Sequence, residues 1–436
     1  MLTQGHRSRG EPSSFPLPNH KSKSGKNKGV DVGVYLLDDP LKKGLLYAGL
    51  LFLGYEGLKL FARHLFRDVG NDILKTITSD PYAENLWELV SATYRATPQV
   101  IVESNLRAQE GTVIQRPLGP PKRFPSLDQL MFNIAQLHVM PTPLETPVDT
   151  RVVIGQRCKR PLAIDLPILI APMAYGVALS EKAKIALAKG AAMAGTAINN
   201  GEGPFLAAER EAAKKYILQY NRGSWNKTPD ILRKADAIEI QFGQGAIGGV
   251  GHVLKSDQID APLRKSLGLQ KGEDAVIHSR HLEVSRPADL GPLINKLKDI
   301  CGDIPIGAKI GAGKYLENDL ELLVEGGVDF IAVDGADAAT KGSAPILQDD
   351  FGVPTMFAVD RAANYLKRKN LHREISLLAS GKIRTPGEVL KVLALGADAV
   401  YMGSINLFVI SHLQVAKVLP FEPPTQLLWY GGKGEG

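Results

Sequence analysis

Cysteine is nearly absent. The 436-residue chain holds two, Cys158 and Cys301. That excludes a disulfide scaffold. It also excludes an all-cysteine iron–sulfur cluster within this chain, which needs three or four thiolates. Each thiol reads as a small buried apolar residue, and a reducing, cytoplasmic compartment fits. Long apolar runs are missing too. The most apolar stretch, GLLYAGLLFLGY over 44–55, is well short of the ~20 residues that a spanning helix needs. It lies too far from the start to be a secretory signal. With its continuation to residue 66 it keeps apolar residues at helical spacing. It reads either as an interfacial helix in contact with a membrane or as a helix buried against the chain or a partner. Solenoid repeats are absent. No histidine lies near Asp334 and Asp337, the one acidic pair that suggests a metal, so no metal is expected.

Charge is ordinary in amount, with 22% charged and 44% apolar residues, as in soluble globular proteins. Much of the net +6 sits in residues 1–30, where His6, Arg7, Arg9, Lys21, Lys23, Lys26 and Lys28 face only Glu11. That stretch is rich in Ser, Gly and Pro and has no hydrophobic period. It reads as a disordered, solvated leader, and no nucleic-acid partner is expected.

What the chain does have is a train of short apolar strands between Ile164 and Ser404. They are LPILIAPM (166–173), TAINNGEG (196–203), YILQYN (216–221), AIEIQFGQG (237–245), PIGAKIG (305–311), FIAVDGAD (330–337), EISLLASG (374–381) and AVYMGS (399–404). Helical patterns such as 180–195, 318–327 and 385–396 separate them. Alternation of this kind implies βαβ units and parallel pairing. Eight units over roughly 240 residues fit a (β/α)₈ TIM barrel. The expected organisation is a leader (1–30), a mainly helical segment with lead-in (31–150), the barrel (151–420) and a tail (421–436). Within the lead-in, 128–139 reads as a short amphipathic helix and 143–155 as extended. The region 244–290 interrupts the alternation, and an insertion there belongs on the C-terminal face of the barrel. A last helix is expected over 405–419.

Barrels present one shared site at the carboxyl ends of their strands. Gly381 before Thr385–Pro386, and Gly403–Ser404 at the next strand end, suit a phosphate held by backbone N–H groups and a helix N-terminus. Lys309 interrupts an apolar strand, which is costly without a partner and suggests a bound anion. The backbone of Pro172–Tyr175, including Met173 and Ala174, can lie along a flat ring. Glu202 sits in a glycine turn beside Asn199 and Asn200 and suits a general acid/base or a substrate-orienting group. Gln241 and Gln244 end the fourth strand. Arg222 reads either as a clamp for a dicarboxylate or as a surface charge. Near the sixth strand end, Gly335 permits close approach to a ligand. Asp334, Asp337, Thr340 and Lys341 supply polar groups there, and Ser343 suits a substrate contact.

The segments APMAYG, NNGEG, EIQFGQGAIGGVG, PIGAKIG, DGADAATKGSAP and SGKIRTPGEVLKVLALGADAVYMGS together resemble the FMN-binding synthase domain of glutamate synthase. They fit best its stand-alone bacterial relatives with a short hydrophobic N-terminal segment. The resemblance covers about 150–420. It implies FMN held around Met173, Asn200, Lys309, Gly335, Gly381 and Gly403–Ser404. It also implies a catalytic role at Glu202, and Arg222 and Gln244 near flavin or substrate. Lys309 beside the flavin would stabilise its anionic reduced form. The implied reaction converts ammonia and 2-oxoglutarate through 2-iminoglutarate to L-glutamate. An electron-donor protein or nicotinamide reductase is implied as partner, and a homo-oligomer is expected.

Three departures stand out. The family's lysine three residues before the glutamine of the QGA motif is Gln241 here, so the contact to a substrate carboxylate differs. The cysteine cluster for a 3Fe–4S centre after the last strand has no match. Residue 2 is Leu2 rather than the nucleophilic cysteine of a glutaminase, so ammonia comes from solution or a partner. Barrels that oxidise 2-hydroxy acids need a His before Gly-Gly-Arg where this chain reads SGKIR. Inosine-monophosphate dehydrogenase needs a Cys where KGSAP stands. A flavin subunit of methylamine–glutamate N-methyltransferase type, and a membrane-associated flavoprotein scaffold without turnover, remain alternatives.

Overall fold

The computed structural model describes residues 40–81, 87–114, 116, 119–245, 247–338 and 343–410. The expectations for the leader, for Leu2, for Thr340 and Lys341, for residues 411–419 of the last helix and for the tail lie outside these residues. The chain divides into two compact units after Val102.

The first unit holds α1 (Pro40–Ser79) and most of α2 (Trp87–Glu110). The apolar run expected to be helical lies inside α1. Among the described residues, no helix is long and apolar enough to cross a membrane. Leu51, Phe52, Leu58, Phe61 and Phe66 of α1 are exposed. Pro98 interrupts α2, and Thr97 before it leaves the helical region with φ +50° and ψ 149°.

The second unit is the barrel. A hairpin comes first, β1 (Val152–Ile154) and β2 (Leu162–Ile164), paired antiparallel. Then follow β3 (Ile168–Ile170), α3 (Glu181–Met193), β4 (Ala197–Asn199), α4 (Ala207–Ala212), β5 (Lys215–Tyr220), α5 (Pro229–Leu232) and β6 (Ala237–Gln241). The insertion forms β7 (His252–Leu254), α6 (Ala261–Leu267) and β8 (Ala275–Ile277). Next come α7 (Leu290–Cys301), β9 (Ile306–Gly311), α8 (Leu316–Gly326), β10 (Phe330–Asp334), α9 (Pro345–Asp350) and α10 (Thr355–Arg368). The barrel ends with β11 (Ser376–Ser380), α11 (Pro386–Ala394) and β12 (Ala399–Met402), and a further helix opens at residue 404.

Strands β3, β4, β5, β6, β9, β10, β11 and β12 pair in that order, all parallel, and β12 closes on β3. These are the eight runs read from the sequence. Both faces of the strands are buried, only partly so on one face of β3, which is why the runs are apolar throughout. The outer layer, including Leu290, Leu293, Ile294 and Leu297 of α7, packs on the strands' outward residues. Inside the barrel, Leu169, Ala197, Ile217, Ala237, Phe330 and Ala399 meet Ile154, Leu162 and Ile164 of the hairpin. These barrel residues lie toward the amino ends of their strands, so the hairpin seals that end with hydrocarbon. Burial pushes the Cys158 thiol up to about 12 and the Cys301 thiol up to about 11.

Residues 128–139 do not form the helix expected of them. A 3₁₀ turn, Leu127–Gln129, opens the stretch, capped by Ser126. Met131, Ile134 and Leu137 are then 89%, 79% and 86% exposed. Short helices are stabilised by burying an apolar face, and here no face is covered. Residues 143–151 are irregular and lead into β1.

Candidate active site

The carboxyl ends of the strands carry a polar network that begins deep inside the barrel. Glu239, on β6, is fully buried. Its Oε1 accepts from Asn199 Nδ2 at 2.9 Å and Gln219 Nε2 at 2.8 Å, and its Oε2 accepts from Tyr401 Oη at 2.8 Å. Burial raises its pKa above the ordinary carboxylate value, against the pull of Lys309 and of these hydrogen bonds. One layer outward, Lys309 pairs with Asp334 and stands over the Tyr401 ring, 5.3 Å from its centre. Asp334 also accepts from Ser380 Oγ and from the Gly245 amide. The register places Gln241 beside Lys309, and Asp334 beside Ser380. A lysine in an apolar strand is thus paired within the protein by an aspartate that the sequence placed on the neighbouring strand.

Glu202 forms a second cluster. Its Oε1 lies 3.1 Å from His252 Nε2, and its Oε2 accepts from Gln241 Nε2 at 3.1 Å. Burial pushes the carboxyl up, but the His252 and Gln241 bonds and the Arg222 charge outweigh it, so the pKa falls below its ordinary value. Gln241 also donates to Gln244 Oε1 at 3.2 Å, while its own buried Oε1 has no partner among the described residues. The backbone around Glu202 is tightly held. Asn221 and Trp225 donate to its carbonyl. Gly201 has φ +75°, and a Cβ there would meet the Met173 and Ala174 amides below 3.0 Å. Only glycine lets the loops after β3 and β4 approach this closely. Lys184, fully buried on α3, ties both loops by donating to the carbonyls of Met173 (2.7 Å) and Asn200 (3.1 Å), and it pairs with Glu209 at 2.7 Å.

At the opposite side, Gly381 follows β11 with φ +135°, and a Cβ there would strike Thr355 Oγ1 at 2.0 Å. Thr385 caps α11, and the buried Glu388 carboxylate accepts from the Arg384 and Thr385 amides. The Arg384, Thr385 and Glu388 amides at that helix start are therefore taken by its own side chains. Ser404 opens the next helix.

A cavity of about 390 Å³ joins these groups, within the range of small-molecule sites. Met173, Ala174, Glu202, Gln244, Lys309, Gly381, Gly403 and Ser404 line it, as do His252, Asp334, Asp337 and Tyr401. The remaining described sequence candidates do not line it. Asn199 supports Glu239, as above. Asn200 is buried and accepts from the Gln219 amide at 2.7 Å. Arg222 is buried rather than at the surface; its guanidinium donates to the carbonyls of Gly249, Ser279 and Val250. Gly335 lets β10 approach the start of α10, where a Cβ would lie 2.6 Å from the Thr355 amide nitrogen. Ser343 is buried, and its carbonyl accepts from Gln348 at 3.0 Å. Gln241 sits between Glu202 and Gln244.

Sequence reasoning missed Glu239, Gln219, Tyr401 and His252. The first two interrupt apolar strands just as Lys309 does, so the same signal was present for them. Nothing in the sequence singles out His252.

A parallel eight-stranded barrel with a polar, lysine-bearing cavity at the carboxyl ends of its strands defines a barrel enzyme. Residues 122–417 match the family model described as the conserved region in glutamate synthase, and the chain belongs to that family of oxidoreductases. It is 34% identical over 313 residues to a glutamate synthase large subunit-like protein of Rhizobium meliloti, covering 71% of this chain and 70% of that one. It is 28% identical over 333 residues to an archaeal-type glutamate synthase [NADPH] of Thermotoga maritima, covering 71% and 66%. With an archaeal glutamate synthase [NADPH] of Methanocaldococcus jannaschii it shares 29% over 327 residues, covering 68% and 64%. The chain thus spans about two thirds of the length of these relatives. A lactate oxidase of Pediococcus acidilactici superposes with a TM-score of 0.40 at 17% identity, over 67% of this chain and 79% of that one, which is too distant to inform the chemistry.

Proposed function

We propose that the barrel binds FMN and catalyses reductive amination of 2-oxoglutarate to L-glutamate. The observation that carries this reading is the meeting in one cavity of Glu202, Lys309 and the strand ends Gly381 and Gly403–Ser404. The residues fit the cofactor. The cavity offers an apolar flank at Met173, Ala174 and Leu179 and small-residue strand ends for a phosphate. Gly381, Gly403 and Ser404 would hold the phosphate, Met173 and Ala174 would flank the ring, and Lys309 would supply positive charge near it. Bound and reduced, FMN supplies the hydride for the reaction.

The chain's own residues do the rest. In the net reaction the keto oxygen leaves as water, nitrogen takes its place, and the carbon gains a hydrogen. Glu202, ionised and held by His252 and Gln241, accepts or returns a proton at its carboxylate. Asp334 and Tyr401 fix the Lys309 ammonium, so its charge is oriented before any ligand arrives. Ammonia comes from solution or a partner, and electrons from a donor protein or a nicotinamide reductase. The exposed apolar residues of α1 suit contact with a membrane surface of a cytoplasmic homo-oligomer.

The test is an assay with 2-oxoglutarate, ammonia, FMN and a chemical reductant. L-glutamate should form, and Glu202→Gln should lower turnover about 100-fold while flavin stays bound. An FMN-loaded chain that makes no glutamate sinks the reading.

A further inference from the structure

The ribbon inserted after the fourth barrel strand reaches back into the cavity through one side chain. β7 and β8 pair antiparallel with His252 opposite Ile277. A small apolar cluster of Trp225, Ile259, Leu263, Leu267, Ala275 and Ile277 holds this excursion together. Arg222 fastens it to the barrel through the carbonyls of Gly249, Val250 and Ser279. His252 then lines the cavity, with Nε2 at 3.1 Å from Glu202 Oε1.

Three other polar groups near Glu202 are committed elsewhere or carry no charge. The Arg222 guanidinium acts on Glu202 only through its charge, since its Nη1 and Nη2 donate to carbonyls and its buried Nε has no partner among the described residues. Lys309 pairs with Asp334. Gln241 is neutral and donates to both Glu202 and Gln244. His252 is therefore the contacting counter-charge of Glu202. Its other nitrogen, Nδ1, is buried and has no partner among the described residues. An N–H at Nε2 is therefore donated to Glu202 Oε1.

We propose that His252 is a positioning residue that shares a proton with Glu202 and so sets the pH range in which that carboxylate is held ready. The inference rests on the placement of Glu202 in the proposed reaction, but its first test does not. The groups facing the ring are Glu202, from the loop after β4, and Arg222, from the loop after β5; its partner on β8 is the apolar Ile277. Burial pushes the imidazole pKa down, but the Glu202 bond and charge outweigh burial and the Arg222 charge, so it rises above the ordinary value.

NMR titration of the imidazole resonances in the full chain reads this directly, with His252 assigned by loss of its signal in His252→Gln. In the wild type, His252 should titrate above ~6.5, the unperturbed value. Glu202→Gln should lower it by about one unit or more. Titration at or below 6.5 in the wild type, or no change in Glu202→Gln, overturns the proposal even where glutamate formation is established. Conversely, a coupled pair in a chain that makes no glutamate leaves this proposal standing and removes the proposed reaction. In the active enzyme, His252→Gln should keep its flavin and lose the alkaline limb of the pH–rate profile, and His252→Lys should restore a limb at higher pH. A profile that His252→Gln leaves unchanged also overturns it.

Discussion

At the amino ends of the strands the barrel is filled by Leu169, Ala197, Ile217 and Phe330 under the cap of Ile154 and Ile164. At the carboxyl ends it holds Glu239, Gln219, Lys309, Asp334 and Tyr401, all buried and all polar. The strands are the same, and only the residues at their two ends differ. One end gains stability from hydrocarbon packing. The other accepts the desolvation of several charges, which packed hydrophobic residues would avoid. Among the described residues, the buried polar atoms without a hydrogen-bond partner include Gln241 Oε1, Arg222 Nε, His252 Nδ1 and Asp337 Oδ1. The comparison teaches that stability and chemistry are divided along the barrel axis.

The largest effect is expected at Lys309. Lys309→Met leaves Asp334 buried with only the Ser380 and Gly245 donors. Removing one partner of a buried pair costs about 3–5 kcal/mol, and flavin content should fall with it. Denaturant unfolding and visible absorbance read the two. A variant that keeps both stability and flavin would erase the contrast between the ends.

At the amino end the two readouts should separate. Ile164→Ala opens space in a fully buried site and should cost about 2–5 kcal/mol. The folded fraction should turn over at the wild-type rate. A change in turnover without a change in stability would show that the hairpin does more than seal.

The smallest effect is the pH dependence of the Glu202–His252 pair. The Glu202 pKa is depressed in the folded chain, so its contribution is present above the unfolded value of ~4.3 and lost as pH falls through the folded one. The His252 pKa is raised, so its contribution is full below ~6.5 and lost as pH rises through the folded value. The melting temperature of the wild type minus that of His252→Gln should therefore be largest between about pH 4.3 and 6.5. A flat difference would place the pair outside the account.

The strand train was readable because a barrel buries both faces of every strand, so β3 to β12 leave apolar runs with glycine-rich ends. Lys309 was readable for the same reason, as a charge where none belongs. Its partner Asp334 was in view only as a strand-end acid, since pairing across strands depends on register. Glu239 and Gln219 carried the Lys309 signal and went unread. Arg222 illustrates the reverse, because a loop arginine gives no hint that its guanidinium will be buried against three carbonyls. His252 was illegible, because the excursion that delivers it has no period in sequence. The 128–139 stretch misled because helical spacing alone does not form a helix without a surface to bury it.

The central claim is that the carboxyl-end cavity holds one FMN with its phosphate at Gly403–Ser404. FMN titration of the purified chain, followed by flavin absorbance and fluorescence, tests it most directly when run beside Ser404→Asp. An acidic residue is well tolerated at a helix start, so this variant should fold as the wild type does while repelling a phosphate. The expected result is one FMN per wild-type chain and binding at least about tenfold weaker, ~1.4 kcal/mol, in the variant at unchanged melting temperature. A wild-type chain that binds no FMN, or binds it equally well with Asp at 404, would contradict the claim.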